Sequence, residues 1–311
     1  ARSKNILKGL KLAEIKDVEN IRFQEHLLNK FNNEIEKFLR YCKMGELIIT
    51  IQDIMKFMEE LAPTWLAEDW DNVGLMTGSK MQEVNNILLC LDVTNEVLDK
   101  AITEDFQMVI SHHPFIFKSI KNVTDDPKTS LIYKAIQNKI TVYSAHTNLD
   151  TAYNGVNKCL AKKLGLKNVI GLNPYKQDKN GNEYFLGEVG SLEEKLNFED
   201  FINNIKQALN IEYLRACGKI PQTIEKVAVF CGSFDGNTKG LEKNESDVLI
   251  TGDLKYHTAI ELVEKDIFAI DAGHFNTEII ILDELEKMLK MKFPKLNVCI
   301  SNVESDPFKY Y

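Results

Sequence analysis

From about Thr50 onward, short apolar runs that read as buried strands alternate with stretches whose apolar residues recur at helical spacing. This alternation commits the chain to α/β architecture, because each strand returns beside its neighbours through a helix packed on the sheet. The pattern predicts a helix over 51–61 that stops before Pro63, strands over 86–93, 107–110 and 140–145, and helices over 96–104, 127–138 and 155–164. A turn-rich run over 173–182 then interrupts the alternation. Beyond it the pattern predicts strands over 183–189, 211–216, 227–231, 247–250, 267–270 and 296–300, with helices over 198–209, 255–265 and 276–290. The expected fold is two α/β lobes with mixed, mostly parallel sheets facing a central cleft. Lobe one covers about 44–170, with the C-terminal segment returning to the cleft, and lobe two covers about 183–301.

The first 43 residues read differently. Their apolar positions are helical in spacing, and they hold ten Lys plus Arg against six Asp plus Glu, a net +4. Because the whole chain carries −8, residues 44–311 carry −12. We therefore expect a helical extension over 1–43 and a two-lobed domain over 44–311. A basic amphipathic helix of this kind is a possible contact for RNA or a partner helix, and His26 on it reads as a solvated or packed side chain. The acidic balance of the rest argues against general nucleic-acid binding, which needs a basic face to replace phosphate counterions.

With 44% hydrophobic residues there is ample material for a core. No apolar run reaches the roughly 18 residues needed to cross a bilayer, and the N-terminus lacks a secretory pattern, so a cytoplasmic protein is expected. The six cysteines (Cys42, Cys90, Cys159, Cys217, Cys231 and Cys299) include no CxxC pair, which disfavours disulfides and a thiolate zinc knuckle.

Function is written where strands end. Four of the six histidines fall in Ser111-His112-His113-Pro114, His146-Thr147-Asn148-Leu149-Asp150 and His274-Phe275-Asn276-Thr277-Glu278, each after an apolar run. If a helix begins by His274, then His274 and Glu278 project from one face toward a shared point. His112 and His113 are adjacent and diverge in a regular strand, so both bind metal only where the backbone turns or where two ions lie side by side. Taken singly, a strand-end histidine is ordinarily a hydrogen-bonded structural residue, and His274 with Glu278 is equally a simple helix-start pair. Taken together, His112, His113, Asp150, His274 and Glu278 form a nitrogen and oxygen donor set that suits zinc, manganese or iron. Five donors crowd one small ion, whereas two ions about 3.5 to 4 Å apart can share a carboxylate and keep open positions. Two divalent charges less two carboxylates leave about +2, which favours an anionic substrate, and the implied chemistry is hydrolysis by an activated water. His146 and His257 are the catalytic candidates; His257, at a helix start after a strand, reads as a site-wall residue, either a proton shuttle or a packed histidine. Cys231-Gly232-Ser233-Phe234-Asp235-Gly236 matches no nucleotide-binding fingerprint and reads as a turn.

These segments, with Glu68-Asp69-Trp70-Asp71-Asn72-Val73-Gly74-Leu75 and Thr251-Gly252-Asp253-Leu254-Lys255-Tyr256-His257, closely resemble the GTP cyclohydrolase I type 2 homologue family, also called the NGG-one-interacting-factor-three-like family. The resemblance runs from about Thr50 to Ser301. It implies a two-lobed subunit with a dinuclear metal centre, assembled as a homohexamer, in the compact form without an inserted domain. It also implies that His112 and His113 bind different ions, Asp150 one of them and His274 the other, with Glu278 bridging. The family name implies hydrolytic opening of the guanine ring of GTP. A non-enzymatic metal-binding or adaptor protein is the alternative.

Overall fold

The computed structural model describes residues 48–309. The expected helical extension over 1–43, with His26 and Cys42, lies outside the described residues. From Ile49 onward the chain forms one unit.

Helix α1 (Ile51–Leu61) is started by a reciprocal capping box between Thr50 and Asp53, and it stops where Pro63 could not continue it. Strand β1 (Gly74–Thr77) follows, then β2 (Asn86–Cys90), α2 (Asn95–Thr103), β3 (Met108–Ser111), α3 (Ser130–Gln137), β4 (Thr141–Ser144), α4 (Thr147–Thr151) and α5 (Val156–Lys163). The second half contains β5 (Lys167–Gln177), β6 (Glu183–Leu196), α6 (Phe198–Leu209), β7 (Arg215–Cys217), β8 (Ile224–Ser233), α7 (Lys239–Lys243), β9 (Val248–Gly252) and α8 (Tyr256–Glu264). It closes with β10 (Ala269–Asp271), α9 (His274–Glu278), α10 (Ile281–Lys292) and β11 (Asn297–Ile300).

Two sheets result. In the five-stranded sheet, ordered β1-β4-β3-β2-β11, only the β1 pairing is antiparallel. The six-stranded sheet, ordered β5-β6-β8-β9-β10-β7, is parallel only across β8, β9 and β10. Five of the nine pairings among the described residues are parallel, as expected of mixed, mostly parallel sheets, and two expectations are corrected. The strand near 296–300 belongs with the first sheet, beside β2, because α10 carries the chain back across the shared core. The run over 173–182 is half strand: β5 extends to Gln177, and the turn is confined to 178–182, held by Asp178, whose carboxylate accepts from the amides of Asn180 and Asn182. That hairpin, with β7, makes the second sheet more antiparallel than parallel.

Alternation along the strands explains how the halves join. In β2, Ile87 and Leu89 face one apolar cluster while Leu88 and Cys90 face another; in β8, Val227, Val229 and Cys231 face the first cluster and Ala228 and Phe230 a third. The first cluster also takes Ile250 of β9, Ile270 of β10, Leu160 of α5 and Leu285 of α10, so both sheets bury one face in a common core. Each fully buried Leu or Ile there contributes about 1.5–3 kcal/mol. No helix among the described residues is long and apolar enough to cross a membrane.

Candidate metal centre

The ends of the parallel strands supply the site. Asp92 follows β2, His112 and His113 follow β3, and His146 and then Asp150 follow β4. From the other sheet, Asp253 follows β9, and α9 carries His274 and Glu278 just beyond β10. The carboxyl ends of parallel strands are where open α/β sheets leave room for ligands.

Glu278 is buried at the meeting point, and its two oxygens face different partners. Oε2 lies 3.0 Å from His113 Nε2 and 3.0 Å from His274 Nε2. On the other side, Oε1 lies 3.7 Å from His112 Nε2, which is itself 3.6 Å from Asp150 Oδ1. The adjacent histidines therefore diverge, their ring centroids 5.1 Å apart, and each serves one side of the same carboxylate. Donor atoms of His112, Asp150 and Glu278 lie within 4.8 Å of one another, as do those of His113, His274 and Glu278, and those of His112, His113 and His146. Each set could hold an ion.

His112 tests the fit. Its Nδ1 donates to the Ala145 carbonyl at 2.9 Å, which leaves Nε2 as the lone-pair nitrogen of the neutral ring. That Nε2 is buried without a hydrogen-bond partner, and its two carboxylate neighbours stand beyond hydrogen-bonding distance. A buried acceptor left idle is costly, and a cation between it and the carboxylates satisfies all three. The remaining imidazoles are oriented by carboxylates on their outer nitrogens: His113 by Asp92 at 3.0 Å, His274 by Asp253 at 2.8 Å and His146 by Asp71 at 2.9 Å. Such partners fix the tautomer and turn the inner nitrogen toward the ion, the usual surroundings of metal-bound histidine.

Electrostatics agree. Burial pushes the Glu278 carboxyl up, but the imidazoles of His112, His113 and His274 overcome this and hold it well below the usual carboxylate range. Burial pulls His113 and His274 down, yet carboxylate partners lift them to about 10 and about 9. Asp150 is raised by burial, and the Cys231 thiol is raised well above its ordinary value by burial and by Asp150 and Glu278. The Glu278 carboxylate and the imidazoles around it are thus strongly coupled, a balance in which a cation bound among them would take the place of protons.

Gly232 makes room for that carboxylate. It sits at φ +60°, and a Cβ there would fall 2.1 Å from Glu278 Oε1. Its amide donates to Thr277 Oγ1 at 3.0 Å, which ties β8 to the helix bearing Glu278.

A model of the family described as Duf34/NIF3 (NGG1p interacting factor 3) matches residues 49–307. The chain belongs to this family. A Clostridium acetobutylicum protein named GTP cyclohydrolase 1 type 2 homolog is 35% identical over 267 residues, spanning 84% of this chain and 99% of that protein. A Clostridium perfringens protein of the same name is 32% identical, with 84% and 99% covered. Among solved structures, a Staphylococcus aureus hypothetical protein superposes with a TM-score of 0.79 at 31% identity, covering 85% of this chain and all (100%) of that one. A Bacillus cereus protein related to NIF3 shares the fold, with a TM-score of 0.80 at 24% identity over 86% and 100% of the two chains.

In this Duf34/NIF3 chain the five residues singled out as ligands come together, and His146 joins them. His257 does not: it is exposed at the start of α8, its ring in edge-to-face contact with Tyr256. The sequence reading missed the roles of Asp71, Asp92 and Asp253 as orienting carboxylates and of Cys231, whose thiol donates to Asp150 Oδ1 at 3.2 Å. Asp92 and Asp253 each stand just past an apolar strand, as the histidines do, and that shared position was the available signal.

Proposed function

We propose that the protein is a divalent-metal-dependent hydrolase acting on a nucleotide or another anionic small molecule. In this reading His112 and Asp150 would hold one ion, His113 and His274 would hold a second, and Glu278 would serve both. The observation that carries it is Glu278 itself, a buried carboxylate with a separate donor pair on each oxygen, one of which includes an idle buried nitrogen. Zinc, manganese or iron suits these nitrogen and oxygen donors and would supply Lewis acidity and an acidified water.

The chain's own residues do the rest. Asp92 and Asp253 keep the outer nitrogens of His113 and His274 engaged, so that the inner nitrogens stay aimed at the ions. Asp71 accepts from His146 Nδ1 and also from the amide and hydroxyl of Thr147, a fixed cradle that leaves His146 Nε2 free to take or give a proton beside the cluster. Thr277 and Gly232 lock α9 against β8, which fixes where the Glu278 carboxylate stands. The names of the clostridial relatives support a guanine nucleotide as the first compound to try, and the positive surplus of two ions over two carboxylates supports an anion generally. We propose a cytoplasmic location from the sequence pattern and a homohexamer from the family resemblance; a mass measurement in solution that gives one or two chains contradicts that assembly.

The test is turnover. Protein loaded with zinc, manganese or iron should hydrolyse GTP or a related anion, and Glu278→Gln should abolish it. Tight metal binding without turnover across a metabolite panel would favour a non-enzymatic metal-binding or adaptor role instead.

A further inference from the structure

The cavity on the His146 side of the cluster has walls that metal binding does not explain. It encloses about 490 Å³, within the usual size for a small-molecule site, and reaches outward from Asp150, Glu278 and His274. Trp70 and Phe117 line it and are 59% and 48% exposed, a costly way to leave two large rings. They are nonetheless held in place. Their centroids lie 5.9 Å apart in an edge-to-face contact, and Trp70 meets the His146 ring at 6.0 Å. The Asn72 side chain donates to the Ile116 carbonyl, joining the loop that carries Trp70 to the loop that carries Phe117, while Asp71 anchors the first loop to His146 and Thr147. Phe230 and Phe234, in mutual edge-to-face contact at 5.3 Å, contribute to the lining. Lys255 also lines this cavity and makes no ion pair among the described residues. Another cavity touching the cluster, about 500 Å³ on the His113 side, differs: its Arg215 is already engaged by Asp271.

We infer that the Trp70 cavity is the ring subsite of the substrate: a planar nitrogen heterocycle packs against Trp70 and Phe117, and Lys255 meets an anionic substituent on it. The inference rests on the reading of the cluster as a hydrolytic metal site, and it adds which face the substrate enters and which part of it is recognised. Flat aromatic faces take heterocycles of many kinds, at a cost of about 1–3 kcal/mol per ring when the aromatic side chain is cut back. Glu68 and Asp235, also in the lining, offer acceptors to N–H groups on the ring edge.

The test uses binding, so it does not depend on turnover. The chain has two tryptophans, and Trp65→Phe leaves Trp70 as the sole reporter. In metal-loaded protein, guanosine and adenosine monophosphates should quench Trp70 fluorescence saturably, and ribose 5-phosphate should not. By calorimetry, Trp70→Ala should weaken mononucleotide binding about 5- to 150-fold, Trp70→Phe should restore most of it, and Lys255→Ala should weaken the mononucleotide but not guanosine. Phe117→Ala carries the same test should Trp70→Ala not fold. Equal affinity for ribose 5-phosphate and the mononucleotides, or unchanged affinity in Trp70→Ala with metal content and melting preserved, overturns the inference. Ring-dependent binding without turnover of any compound upholds the subsite and sinks the hydrolase; turnover that survives Trp70→Ala undiminished does the reverse.

Discussion

Replacing Gly232 with alanine puts a methyl group where the Glu278 carboxylate stands, and the structure lets its two costs be separated. The first is backbone strain: at φ +60° a side chain costs about 1–2 kcal/mol. The second is collision. A carbon needs roughly 3.3 Å from an oxygen, and the new Cβ lies 2.1 Å from Glu278 Oε1, so the carboxylate must retreat by roughly 1 Å. Glu278 holds His113 and His274 at 3.0 Å, and a retreat of that size strands a buried carboxylate at a further cost of about 1–3 kcal/mol. The expected total is about 2–5 kcal/mol. Gly236→Ala is the control, because Gly236 sits at φ +88° with nothing within 4 Å of where a Cβ would stand, and it bears only the strain. Urea denaturation of both metal-free variants should show Gly232→Ala the less stable by about 1–3 kcal/mol, and elemental analysis should show it alone losing metal. Equal destabilisation with full metal content in both would refute the assignment of Glu278 as the shared ligand.

Other residues give independent checks. Asp92→Asn or Asp253→Asn should weaken metal binding about 10- to 100-fold in competition with a chromophoric chelator, because each removes the carboxylate that orients a proposed ligand histidine. His146→Ala should lower kcat about 10²- to 10⁴-fold, while His257→Ala, exposed and away from the cluster, should leave it unchanged. Burial pushes the Glu304 carboxyl up to about 7, with the Asp92 charge adding to it, against the lowering effect of the Asp92 and Leu91 amides that Glu304 accepts from. The folded chain therefore keeps a proton that the unfolded chain releases above about 4.5, so this contribution to stability is full below 4.5 and lost as pH rises through 7. In metal-free protein the melting temperature of Glu304→Gln should accordingly gain on that of the parent between pH 5 and 8, and a constant difference across that range would contradict the assignment.

What the sequence disclosed followed from local physics. The apolar runs ending in His112, His146 and His274 mark strand ends whatever their neighbours, and a spacing of four places His274 and Glu278 on one helical face once α9 starts at His274. Ligand candidates were therefore legible. Pairing order was not: nothing local to 297–300 says that it returns to β2, because that choice is made by α10 burying Leu285 and Leu289 in the core shared by both sheets. Likewise Asp71, Asp92 and Asp253 look like ordinary loop carboxylates until the fold sets each against the outer nitrogen of a histidine. The role of Gly232 was hidden for the same reason, since its close neighbour, Glu278, comes from a different segment.

The claim that everything else depends on is that Glu278 joins two ions. Elemental analysis of the purified chain after saturation with zinc or manganese and removal of free metal measures this directly. Close to two ions per chain are expected in the parent protein and fewer than one in Glu278→Gln. No retained metal in the parent, or an unchanged complement in the variant, would contradict it.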